Sequence, residues 1–287
     1  MSFAPAAAED KVITLKGGKR LFVDRGDTPG ADSSREAIVF LHGLGSSHSF
    51  YSAALSLSRL SASPHPYRLV RYDMNGHGLS PVSQLDAADD AGMLAVEDLV
   101  EDLAAVLESV GVDRVRALVG HSLGGMVACA FAARHPDKVD KLVLLGAMRA
   151  LSPSLQTLML KRAHSVLEHG MSAVVDQVVA AGLSDRTRAD LPLAVAMVRA
   201  LVLGTKPEGY AAACRALAGA SEPEYGRIEA ETLVVAGDFD ALSDTATSDH
   251  LCAEIPHARR VDLSGVGHWP ALEDPAGVAR VLDGFVL

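Results

Sequence analysis

The residues best suited to chemistry are a serine, an aspartate and a histidine that stand far apart in the chain. Ser122 lies in Gly120-His121-Ser122-Leu123-Gly124, directly after the apolar run Val115–Val119 and directly before the helical run Leu123–Arg134. A tight turn between strand and helix forces such a serine into an unfavourable backbone conformation and holds its hydroxyl out above a sheet. Glycines two residues to either side leave room for neighbouring backbone. The helix N-terminus that follows favours developing negative charge. The chemistry implied is nucleophilic attack on a carbonyl.

A serine hydroxyl needs a base, and the base needs an orienting acid. Of the 11 histidines, His135 falls at a helix C-terminus, His164, His169 and His250 within helical runs, and His257 in a loop. A capping, packing or surface role is the simpler reading for these. His268 differs, because Gly265-Val266-Gly267-His268 comes just past the final strand, at the sheet edge where open α/β folds gather reactive groups. For the acid, Asp238, Asp240 and Asp244 compete after the strand Thr232–Ala236. Asp240 is preferred, since one tight turn past Gly237 aims it back over the sheet, whereas Asp244 suits the start of the next helix. The oxyanion formed in acyl transfer needs two backbone donors. They are assigned to Leu123 and to Leu44 in His42-Gly43-Leu44-Gly45, with His42 read as a structural residue of that loop.

The elements that must carry these residues alternate. Val12–Leu15 and Arg20–Asp24 read as an opening hairpin, followed by a polar loop from Gly26 to Glu36. Ala37–Leu41, Leu69–Tyr72, Val115–Val119 and Val139–Leu145 read as buried strands. A helix around Tyr51, Leu55 and Leu60 and an amphipathic helix at Met93–Val110, closed by Gly111, lie between them. This rhythm predicts an α/β fold, a mostly parallel sheet with helices on both faces. From about Met148 to Ile228 the pattern is helical only: Ser154–Gly170, Met171–Ala181, Leu193–Leu203 and Glu208–Ala218. Strand and helix alternate again through Thr232–Ala236, Ser243–Glu254, Arg259–Leu263 and Ala271–Val286. The expected organisation is a core of residues 1–147 and 229–287, with a helical insertion at 148–228 after the sixth strand.

The 287 residues are 49% apolar and 22% charged, the balance of a soluble globular chain, and carry a formal net charge of -10. That charge argues against nucleic acid or an anionic membrane as partner, since both need clustered positive charge. Cys129, Cys214 and Cys252 show neither disulfide nor metal-ligand spacing. No metal or cofactor is expected. Residues 1–10 lack the basic and apolar character of a leader, so a cytoplasmic protein is expected. Oligomeric state is not legible.

Five segments in order resemble the α/β-hydrolase superfamily: HGLGSS at 42–47, YDMNGHGLS at 72–80, GHSLGG at 120–125, AGDFD at 236–240 and GVGHWPALEDP at 265–275. The likeness covers nearly the whole chain. Within the superfamily it is closest to 3-oxoadipate enol-lactonases, whose helical cap is similar to EHGMSAVVDQVV at 168–179 and KPEGYAAACRALAGA at 206–220. The resemblance implies the triad Ser122, Asp240 and His268, the oxyanion donors Leu44 and Leu123, and hydrolysis of a small ester or enol-lactone. It implies a cap cation for the substrate's carboxylate, with Arg149 the best placed and Arg162 and Arg199 as alternatives. Trp269, next to the proposed base, reads equally as a pocket wall or as plain packing. Two departures stand out. Asn75 replaces an arginine usual after Asp73, and no aromatic residue occurs near Met159–Arg162 or Gly182-Leu183. C–C bond hydrolysis and cofactor-free perhydrolysis use the same triad. A ligand receptor with a slow hydrolase pocket is the competing reading from another class.

Overall fold

Short runs dominated by Val, Ile and Leu have room for neither a polar face nor a helical period, so they become strands covered on both sides. The computed structural model describes residues 11–27, 36–61, 67–83 and 94–287. Among them, eight strands form one sheet: β1 (Val12–Thr14), β2 (Arg20–Asp27), β3 (Ala37–Leu41), β4 (Arg68–Tyr72), β5 (Val115–His121), β6 (Lys141–Leu145), β7 (Glu231–Gly237) and β8 (Ala258–Leu263). Their order across the sheet is β1-β2-β4-β3-β5-β6-β7-β8. β2 runs antiparallel to both neighbours, and β4 through β8 are parallel. Every residue of β3 is buried.

The α-helices of the core are α1 (Ser52–Leu57), α2 (Val96–Ser109) and α3 (Leu123–Arg134). Between β6 and β7 come only helices, chiefly α4 (Pro153–His169), α5 (Val175–Gly182), α6 (Asp185–Asp190), α7 (Pro192–Leu203) and α8 (Pro207–Gly219). The chain ends with α9 (Thr245–Glu254), α10 (Pro270–Glu273) and α11 (Pro275–Val286). α1 packs on α11 and α2 on α3, while α4 and α8 form the most extensive helix pair. Among the described residues, no helix is long and apolar enough to cross a membrane.

The expectation of an α/β fold with a mostly parallel sheet holds, and its deviations have local causes. The run expected as one helix at Ala271–Val286 is two, because Asp274-Pro275 interrupts the backbone hydrogen-bond ladder and Asp274 caps the second helix through Gly277 N–H. The helix around Tyr51–Leu60 is α1 flanked by 3-10 turns at His48–Tyr51 and Arg59–Ser61. Met171–Ala181 begins as a 3-10 turn before α5, and α6 is a short helix that periodicity did not announce; its N-cap is Ser184, which accepts from Thr187 N–H. The loop 28–35, Pro64, Met93 and residues 1–10 lie outside the described residues.

Candidate active site

In the sheet the chain passes from β3 outward to β4 and then returns to the other side of β3 as β5. The connections leaving the carboxyl ends of β3 and β5 therefore run to opposite sides, leaving the crevice in which such folds place ligands. Ser122 closes β5 at φ +52° and ψ −119°, one of two non-glycine residues with positive φ among those described. Strain of this kind costs about 1–3 kcal/mol and persists only where the surroundings impose it. They do so here. A Cβ at Gly120 would lie 2.5 Å from Gly124 O, and one at Gly124 2.5 Å from His42 O, so only glycine lets the turn close. Ser122 N–H donates to Leu145 O of β6 at 3.1 Å.

The three residues expected to work together meet. His268 Nε2 lies 2.8 Å from Ser122 Oγ, and His268 Nδ1 lies 2.8 Å from Asp240 Oδ2. The other carboxylate oxygen of Asp240 accepts from Leu242 N–H and Ser243 N–H, both at 2.9 Å. All three residues are buried. Asp240 turns back from β7, while Asp238 turns away and accepts from Gly265 N–H at 2.7 Å and Val266 N–H at 3.2 Å. Asp244 caps α9 through Thr247 N–H. In this geometry Nδ1–H donates to Asp240, leaving Nε2 free to accept the serine proton.

The main chain around the serine offers donors. Leu123 N–H opens α3, and Leu44 follows Gly43 in the loop after β3; neither N–H donates to another group among the described residues. A Cβ on Gly43 would stand 2.9 Å from Ser122 Cβ, so this loop lies directly against the serine turn. His42 fixes it, as expected of a structural residue. Its Nδ1–H donates to Gly43 O at 2.8 Å and its Nε2 accepts from Met74 N–H at 2.9 Å. Both bonds require neutral imidazole, and burial lowers the His42 pKa accordingly, against an opposing pull from Asp73. Behind it, burial and then His42 push His77 down to about 3, and its Nδ1–H donates to Asn75 O at 3.0 Å. Asp73 accepts from Leu79 N–H and contacts His48; burial, the largest influence, pushes its pKa up, but the hydrogen bonds from His48 and the proximity of His42 and His48 outweigh it and hold the pKa below the usual value. Asn75, in place of the usual arginine, anchors its loop by accepting from Ser83 N–H at 2.7 Å.

His121, inside the serine motif, had no role assigned from sequence. It stacks on Phe50 at 4.2 Å, and its Nε2–H donates to the carbonyl oxygen of His268 at 2.7 Å. Burial, with His268 next, keeps it neutral far below the ordinary histidine range. Two histidines thus hold two loops without themselves being bases.

Above Ser122 lies a cavity of about 160 Å³. Leu44, Ser122, His268 and Trp269 form its floor side, and Leu151, Leu155, Met159, Val178, Tyr210 and Leu217 come from the segment between β6 and β7. The cation in its wall is Arg162, on α4. Arg149 is not: it pairs with Glu222 at 2.9 Å outside the cavity, and Arg199 pairs with Asp176. The exit of β6 looked the better place in sequence, but Glu222, 73 residues on, takes that guanidinium. Arg162 has no ion-pair partner among the described residues, and its Nε is buried without an acceptor. Tyr210 Oη and Trp269 Nε1 are likewise buried without acceptors. Burial raises the Tyr210 pKa, so the phenol stays protonated. Where an aromatic residue was missing near Gly182, the Trp269 indole fills the space; a Cβ on Gly182 would meet its Nε1 at 2.6 Å.

Comparison with known proteins identifies the family. The family described as alpha/beta hydrolase fold matches residues 36–275. A RutD protein of Caulobacter segnis, provisionally named a carbamate hydrolase, is 27% identical over 88% of this chain and 93% of its own. 3-Oxoadipate enol-lactonase 1 of Acinetobacter baylyi is 26% identical over 96% of each chain. The crystal structure of the enol-lactonase from Burkholderia xenovorans LB400 superposes with a TM-score of 0.83 at 26% identity, covering 96% of this chain and 99% of that one.

Proposed function

This chain belongs to the alpha/beta hydrolase family, and on that premise we propose that it is a serine hydrolase cleaving a small carboxylic ester or enol-lactone through an acyl-enzyme on Ser122. The observation that carries the reading is the unbroken relay from Ser122 Oγ through His268 to Asp240, with 2.8 Å at each step. His268 takes the serine proton as Oγ attacks the carbonyl carbon. Asp240 holds the imidazole in the required tautomer and stabilises the imidazolium. Leu44 and Leu123 N–H groups receive the oxyanion, a contribution of a few kcal/mol in a water-poor site. His268 then returns its proton to the leaving oxygen, and water, activated by the same base, releases the acid.

Residues 148–228 act as a cap that encloses the reaction between core segments 1–147 and 229–287. A cavity of about 160 Å³ is the size that accepts a benzene ring. It fits a small acyl group beside Ser122. Its walls are apolar except for Arg162 and Tyr210, which supports an acid-bearing ester or lactone whose carboxylate meets Arg162. The likeness to enol-lactonases supports the same substrate class.

Steady-state hydrolysis tests this. The panel is a set of short p-nitrophenyl esters, the same esters with a terminal carboxylate, 3-oxoadipate enol-lactone, an alkyl carbamate and a C–C hydrolase substrate. Turnover of an acid-bearing ester or the lactone, abolished in Ser122→Ala, is expected. Arg162→Met raises KM for acid-bearing substrates about 10- to 100-fold, the worth of a charged hydrogen bond, and spares neutral esters. Background rates across the panel refute hydrolysis of this class; preference for the carbamate or the C–C substrate moves the assignment there.

A further inference from the structure

The loop that carries His268 is not held by the sheet alone. Glu273, at the end of α10 and buried, accepts four hydrogen bonds. Its Oε1 accepts from Trp269 N–H at 2.9 Å. Its Oε2 accepts from Gly267 N–H at 3.0 Å, Ser184 N–H at 3.1 Å and Thr187 Oγ1–H at 2.8 Å. The two loop donors are the immediate neighbours of His268 on either side. The other two belong to the N-terminus of α6, in the segment between β6 and β7. Between them, His268 N–H itself donates to Gly182 O at 2.7 Å, and Ser184 Oγ–H donates to Gly265 O at 2.9 Å. A Cβ on Gly267 would sit 2.7 Å from Gly182 O and from Ser184 N, so the two backbones touch.

A carboxylate is the one side-chain group that can take four such donors, since it offers about four lone-pair sites and no hydrogen. Nothing in the reaction requires it, because it touches neither Ser122 nor the cavity. We propose that Glu273 is a positioning residue: it fixes the His268 loop and joins it to the α5–α6 junction, so that the base is in register only when the cap is seated. This rests on the serine-hydrolase reading above. A base displaced by about 1 Å costs on the order of 100-fold in rate, so a joint of this kind controls turnover without contacting substrate.

Two variants test it. Glu273→Gln keeps the shape but turns one oxygen into an N–H donor, so either Trp269 or the Gly267, Ser184 and Thr187 group faces a donor instead of an acceptor. Thr187→Val removes a cap-side bond and leaves both loop bonds. Turnover is measured per site titrated with a fluorophosphonate, at a temperature well below the unfolding midpoint. In parallel, the downfield proton of the His268–Asp240 hydrogen bond is followed by NMR. Glu273→Gln is expected to lose about 10- to 100-fold in kcat per titrated site, with KM within about twofold and the downfield proton broadened. Thr187→Val is expected to lose about 3- to 10-fold, with both losses persisting in fully folded protein. Wild-type kcat per titrated site and an unchanged proton signal in Glu273→Gln overturn the proposal, whatever its unfolding temperature. Loss in Glu273→Gln with none in Thr187→Val overturns the link to the cap. If Glu273→Gln does not fold, Thr187→Val alone decides. A wild type that neither titrates at Ser122 nor turns over any ester overturns instead the reading on which this rests, and the NMR signal still reports the joint.

Discussion

Lowering the pH from 7.5 to 5 should strip stability from this protein through its buried neutral histidines, and His77 allows the size to be worked out. It is fully buried, and burial with the neighbouring His42 holds its pKa at about 3 against 6.5 for an unperturbed side chain. The unfolded chain therefore binds a proton on His77 that the folded chain refuses. A depressed folded value means that the stability is present above pH 6.5 and is lost as the pH falls toward 3. At pH 5 the unfolded side chain sits 1.5 pH units below its midpoint, which is about 2 kcal/mol at 1.36 kcal/mol per unit. His42 and His121, shifted in the same direction by burial, add losses of the same sign. Urea unfolding at pH 7.5, 6.5, 5.5 and 5.0 measures this for wild type and His77→Phe. The variant forfeits the bond to Asn75 O and starts from lower stability, yet loses about 2 kcal/mol less than wild type across the range. Parallel pH curves for the two proteins would show that His77 takes up its proton as readily in the fold as in the unfolded chain, and that the reasoning is wrong.

Two further outcomes follow from the site. Asp240→Asn presents an N–H donor or the wrong tautomer partner to His268, so kcat is expected to fall about 10⁴-fold with the fold intact; a loss below tenfold would remove Asp240 from the relay. Ser122→Gly and Ser122→Ala both delete the hydroxyl, but only glycine relaxes φ +52°, and after its greater unfolded-state entropy is counted the glycine variant should be about 1 kcal/mol the more stable by urea unfolding. Equal stabilities would mean that the turn stores no strain.

How much of this was legible depended on whether a residue's role is local. Ser122 announced itself because a strand, a turn that tolerates only glycine at 120 and 124, and a helix all lie within a few residues of it. Turn geometry favoured Asp240 over Asp238 and assigned Asp244 to the next helix; in the structure Asp240 faces His268, Asp244 caps α9, and Asp238, the runner-up, binds Gly265 and Val266 N–H instead. The failures were long-range. Arg149 looked free at the end of β6 because its partner, Glu222, belongs to a distant stretch of chain. Arg162 was one solvated-looking arginine among several until α8 brought Tyr210 beside it. Glu273 sits in a run where an acid before Asp-Pro reads as helix punctuation; its four donors come from two segments whose meeting no local pattern encodes. The break at Pro275 was written in the sequence and was overridden by the apolar period on either side.

The spacing of the site along the chain has a consequence for how the molecule is made. Ser122 leaves the ribosome 146 residues ahead of His268, roughly 7–30 s at ordinary elongation rates. Through most of that interval β6, whose apolar Leu142–Leu145 stretch is wholly buried in the finished sheet, has no β7 to pair with. The nascent chain thus carries an open, greasy sheet edge and a strained serine turn while it synthesises the 85 residues of helix and linker that separate β6 from β7. A ribosome stalled before Glu231 should present an adhesive, catalytically silent half-sheet. Codon tempo and chaperone supply across residues 146–230 should then affect the yield of active protein.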